Sequence, residues 1–67
     1  MTIKHSDLHV GDIVCFEDVF YDRMIEDEIT GIRRDEEERN VIWYEFDFGN
    51  TKVQLEHIHS VEKRAEE

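Results

Sequence analysis

Apolar and polar positions alternate most regularly between Val41 and Leu55. Ile42, Tyr44, Phe46 and Phe48 fall on one parity and Val41, Trp43, Glu45 and Asp47 on the other, which predicts a strand over 41–48. Gly49-Asn50 predicts a two-residue turn of type I′ or II′, because glycine takes positive φ without a Cβ clash, and Thr51 to Leu55 supplies the return strand. That turn pairs Phe48 with Thr51, Phe46 with Val53, Tyr44 with Leu55 and Ile42 with His57 on an inward face. The outward face pairs Asp47 with Lys52, Glu45 with Gln54, Trp43 with Glu56 and Val41 with Ile58. A one-residue slip would expose the phenylalanines and separate Asp47 from Lys52.

The same reading extends along the chain. Ser6 or Asp7 can cap a short turn before Leu8 and Val10, and Gly11-Asp12 then punctuates the chain. Ile13 to Glu17 is a β-branched and aromatic run, apolar on both parities, as in a strand buried on both sides or curled at a barrel corner. Glu17 to Arg23 suits a loop whose aromatic tip, Phe20-Tyr21, tucks back over the core, with a short helix through Met24 as the competitor. Met24 to Arg34 alternates loosely as a strand, Gly31 marking a bulge or bend where another backbone comes close. Asp35 to Glu38, bracketed by Arg33, Arg34 and Arg39, reads as an exposed loop. Leu55, Ile58 and Val61, three apart, suit a 3₁₀ turn before a last short strand. The expected strands are 11–17, 24–34, 41–48, 51–56 and 59–62, in one domain spanning 1–67 with frayed ends at about 1–6 and 62–67.

Val10-Gly11-Asp12-Ile13-Val14, Ile29-Thr30-Gly31-Ile32, the hairpin around Tyr44-Glu45-Phe46 and Phe48-Gly49-Asn50, and the final Leu55, Ile58 and Val61 together resemble the layout of small SH3-like barrels. The resemblance covers roughly residues 8–61. It implies an all-β fold, a five-stranded antiparallel SH3-like barrel with a 3₁₀ turn before the last strand.

Composition changes the functional picture more than the fold. Eighteen acidic against eight basic residues leave a net charge of −10, a field that repels nucleic acid and anionic membranes and attracts basic surfaces. By size and charge the chain also resembles the small acidic bacteriophage proteins that inhibit host nucleic-acid-binding proteins, some by imitating DNA. This likeness rests on no shared motif and carries over no residue. It implies a non-enzymatic binding protein that occupies a partner's basic nucleic-acid-binding surface in competition with DNA or RNA. The candidate phosphate-mimicking carboxylates are Glu17, Asp18, Asp22, Glu26, Asp27, Glu28, Asp35, Glu36, Glu37, Glu38, Glu45 and Asp47. On a strand, Glu26 and Glu28 would share a face roughly 6.6 Å apart, and phosphates advance about 3.4 Å along each DNA strand while winding round it. The plainer use of this acidity is solubility.

Val41, Trp43 and Ile58, at the apolar end of the outward hairpin face, are candidates for a homodimer or partner contact. The alternative class is an adaptor module binding a peptide or larger assembly, whose mark would be a contiguous aromatic groove from Phe20, Tyr21, Trp43 and Tyr44.

Little points to catalysis or metal. One cysteine allows no internal disulfide, and Cys15 lies in an apolar strand as an inert thiol. His5 and His9 are four apart and His57 and His59 two apart, but no third ligand is fixed, so the histidines read as surface residues with no metal and no cofactor expected. The acidic runs do not follow the EF-hand spacing, and so short a chain offers little volume for a substrate pocket. With no charged-then-apolar leader and no apolar run near about eighteen residues, the expected location is the cytoplasm.

Overall fold

A computed structural model describes residues 3–48 and 51–66. Five strands, β1 (Ile13–Asp18), β2 (Arg23–Arg34), β3 (Ile42–Phe46), β4 (Lys52–Gln54) and β5 (Ile58–Lys63), form one antiparallel sheet in the order β4-β3-β2-β1-β5. A 3₁₀ turn at Leu55–His57 precedes β5 and another at His5–Asp7 precedes β1. The fold is therefore the expected all-β, five-stranded arrangement, although the sheet is not closed into a barrel by a pairing of its edge strands β4 and β5.

The long β2 makes the architecture. Its residues 23–28 pair with β1 and its residues 29–34 with β3, the two ladders meeting at a bulge between Ile29 and Gly31. A bulge sharpens strand twist, so the sheet folds over itself at the bend that Gly31 predicts. Phe16 of β1 then stacks on Phe46 of β3 with ring centroids 4.0 Å apart. Leu8, Val14, Ile29, Tyr44, Val53 and Ile58 complete the buried core around them. Because the core lies between the two halves of the sheet, their outer faces point away from each other.

The alternation in β1 is resolved by this fold: Val14, Phe16 and Asp18 face inward and are buried, whereas Ile13, Cys15 and Glu17 are half-buried on the outside.

The hairpin keeps its faces but not its register. Tyr44 pairs with Val53, Trp43 with Gln54 and Glu45 with Lys52, a shift of two residues from the expected pairs. The strand stops early because Phe46 closes the ladder, donating its amide to Thr51 O at 2.8 Å, while the Phe48 amide turns to Asp27 Oδ2 at 3.1 Å. A two-residue shift preserves parity, so Tyr44 and Phe46 stay inside. Phe48 does not, and is 43% exposed. The Gly49-Asn50 turn lies outside the described residues.

Two other expectations change. Phe20 and Tyr21 do not tuck over the core but stand exposed at the β1–β2 tip, where Asp18 Oδ1 accepts both their amides at 3.1 and 3.4 Å. Ile58 is not on the outer hairpin face: the 3₁₀ turn ends β4 at Gln54 and carries Ile58 into β5, where it is buried opposite Phe16. Near the chain ends, His5–Asp7 forms a 3₁₀ turn and Glu62–Lys63 lies within β5.

Asp12 fastens these ends. It is buried, accepts the His9 amide at 3.0 Å and the Ala65 amide at 2.8 Å, and lies 3.4 Å from Arg64 Nη1. Arg64 also donates to the Asp7 carbonyl. Gly11, at φ 99°, makes the turn into this cluster, and a Cβ there would meet Ala65 Cβ at 2.9 Å, so glycine is required both by conformation and by space.

Candidate functional site

The twelve candidate carboxylates separate by what their strands do with them. β2 alternates, so Glu26 and Glu28 project outward with Met24, while Ile25, Asp27 and Ile29 turn inward. In the β1–β2 ladder Cys15 sits opposite Glu26 and Glu17 opposite Met24, and β5 lies on the other side of β1. Neighbouring strands are about 4.8 Å apart, so Glu17, Glu26 and Glu28 share one outer face. Glu62 of β5 joins them. Burial pushes the Cys15 thiol pKa up, and the negative charges of Glu62 and Glu26 on either side push it further. The sequence pattern places Glu62 in a tail; only β5 pairing with β1 reveals it as part of the face.

Asp18, Asp27 and Asp35 are engaged by the fold itself. Asp18 is buried and holds the β1–β2 tip; Asp27 accepts the amides of Glu28 at 2.8 Å and Phe48 at 3.1 Å. Asp35 accepts the amides of Glu38 at 2.8 Å and Glu37 at 3.0 Å and the Trp43 indole N–H at 3.1 Å. The Glu38 amide, the Trp43 indole and the Glu37 amide together hold the Asp35 carboxyl below its ordinary value. Asp35 N also donates to Val41 O and Val41 N to Glu38 O, so the acidic loop is a tied turn with Glu36, Glu37 and Glu38 exposed on its rim.

Glu45 lies on the outer face of the other half of the sheet. Its carboxylate crosses the space left by Gly31 and takes the Arg33 Nε at 2.9 Å. Lys52, its partner in the ladder, rests 4.7 Å from the Trp43 ring centroid. This second face is of mixed sign, and Glu45 does not extend the acidic row. Asp22 and Asp47 are exposed in the two loops at the ends of their hairpins.

Among the proposed apolar contacts, Trp43 and Val41 are half-buried and Ile58 is in the core. The four aromatics of the adaptor alternative are not brought together. Tyr44 is fully buried, its hydroxyl 2.5 Å from His5 Nδ1, and burial raises its pKa. Trp43 faces outward from β3, and Phe20 and Tyr21 occupy the β1–β2 tip.

The histidines are spread over the molecule. His9 contacts Asp12 at 3.9 Å, His57 contacts Glu56 at 3.7 Å and His59 contacts Glu17 at 3.8 Å. Among the described residues no three His, Cys, Asp or Glu side chains gather into a group able to hold a metal ion, and no helix is long and apolar enough to cross a membrane. No protein-family model, curated protein or solved structure matches the chain.

Proposed function

We propose that this chain is a non-enzymatic acidic binding protein that sets the outer face of β1, β2 and β5 against the basic nucleic-acid-binding surface of a partner protein and competes there with DNA or RNA. The observation that carries the reading is sidedness. Glu17, Glu26, Glu28 and Glu62 share one face, with Lys63 at its edge opposite Ile13 and His59 beside Glu17, while Arg33 and Lys52 lie on the outer face of the other half of the sheet. Alternate residues on a strand are roughly 6.6 Å apart and adjacent strands about 4.8 Å, spacings of the order found between neighbouring phosphates. Carboxylates fixed on paired strands meet a basic groove without first being ordered, which lowers the entropic cost of binding.

Affinity capture from the source cell at low salt, followed by displacement with DNA, tests the proposal. A basic nucleic-acid-binding protein should be retained, released by excess DNA, and bound less tightly as salt rises. Retention of neutral or acidic proteins alone, or failure of DNA to displace the captured protein, would sink it. Reversing Glu26→Lys and Glu28→Lys together should weaken the complex at least about tenfold, equivalent to about 1.4 kcal/mol. Unchanged affinity would remove this face from the interface.

A further inference from the structure

The β1–β2 tip gathers the most exposed large apolar side chains among the described residues. Phe20 is 83% exposed, Tyr21 64% and Val19 62%, with Phe48 across the same cleft. Asp18 binds the amides of Phe20 and Tyr21, and Asp22 sits at φ 51°, so the turn is built to hold these rings outward. Phe20 and Tyr21 meet edge to face at 4.9 Å. Between the tip and the start of β4 opens a cleft of about 600 Å³ lined by Val19, Phe20, Tyr21, Arg23, Phe48 and Lys52. The Arg23 guanidinium lies 5.2 Å from the Tyr21 centroid and 5.4 Å from that of Phe48, and among the described residues no carboxylate comes within 4.0 Å of it. In a chain with more than twice as many acids as bases, an arginine seated on two rings without an acidic partner stands out.

We propose that the occupant of this surface is a second copy of the chain, docked tip to tip about a two-fold axis. Phe20 of each protomer enters the cleft of its partner, and Asp22 of each faces Arg23 of its partner. A two-fold contact uses the same patch twice, so that patch must be complementary to itself. This one carries a projecting ring, a concavity, an anion and an unpaired cation side by side. Val19, Phe20, Tyr21 and Phe48 expose roughly 500 Å² per protomer, or about 1,000 Å² for the pair, the size of a weak, transient interface. The dimer is therefore reversible, with a dissociation constant on the order of micromolar. Each protomer carries the same net charge of −10, so salt, by screening that repulsion, strengthens the association. The proposed complex with a basic partner responds to salt in the opposite sense, so the two proposals succeed or fail separately.

Sedimentation of the full chain from low micromolar to millimolar concentration, at physiological and at raised salt, tests the dimer. A concentration-dependent dimer that tightens with salt is expected. Phe20→Ser should weaken it at least tenfold while leaving the circular dichroism and thermal melt unchanged, since this side chain is outside the core. Asp22→Lys and Arg23→Asp should each dissociate it, and mixing the two folded variants should restore association. Glu37→Lys, the same charge change away from the tip, should leave a dimer at least as tight as the parent's. A chain that stays monomeric at millimolar concentration, a dimer indifferent to Phe20→Ser, or a mixture that does not reassociate overturns the proposal and leaves the tip to a different protein.

Discussion

Asp12 is buried and still charged, because the fold surrounds it with donors. Burial pushes its pKa up, but the amides of Ala65 and His9 and the charges of Arg64 and His9 outweigh that effect and hold it below the ordinary value. A carboxylate whose pKa is depressed on folding stabilises the native state above its unfolded pKa of about 3.9, and that contribution fades as pH falls through the lower folded value. Asp12→Ala would take the acceptor from the His9 and Ala65 amides and the anion from Arg64, and is expected to cost about 1–3 kcal/mol in urea unfolding. Asp12→Asn should flatten the acid limb of the stability profile relative to the parent chain. Asp35 follows the same sign, and its link to the Trp43 indole offers a direct probe. Trp43 fluorescence should titrate below the usual aspartate range and lose that transition in Asp35→Ala. In the sequence Gly11-Asp12 reads only as punctuation, since the partner amide of Ala65 is 53 residues away and no local pattern reaches that far.

At the scale of elements, parity was legible and register was not. The alternation of Ile42, Tyr44 and Phe46 identifies the inward face of β3, and sliding β4 by two residues leaves that face unchanged. The Phe48 amide bonds outside the ladder to Asp27 Oδ2 on a different strand, a contact that no pattern within the hairpin announces. The bend at Gly31 was legible because glycine in a strand has few other uses. Its consequence, the division of one long strand between two ladders, appears only when both partners are in place. The Phe16–Phe46 stack joins the two halves across the core. Phe46→Ala is expected to cost about 3–5 kcal/mol, against a total of roughly 3–10 kcal/mol for a domain of this size. Circular dichroism should then find the variant partly or wholly unfolded at room temperature, whereas Phe48→Ala, outside the core, should keep the native spectrum.

For the whole molecule, net charge is plain from composition, but its division between two opposed faces depends on the folded sheet. Glu62 could join Glu17, Glu26 and Glu28 only once β5 lay beside β1. Salt titration separates the two surfaces: capture of a basic partner by the acidic face should weaken, and pairing through the β1–β2 tip should strengthen. The clasp at Asp12 has a different kind of consequence, for the birth of the molecule on the ribosome. β1 finds its β5 neighbour, and Asp12 its Ala65 donor, only after some fifty further residues have been made. A nascent chain halted before β5 lacks the strand that pairs with Val14 and Phe16, so the complete sheet is expected only after synthesis has passed residue 65. Force on a stalled ribosome should therefore register folding only when residues through Ala65 have left the exit tunnel, and a chain cut after Lys63 should melt below the intact one.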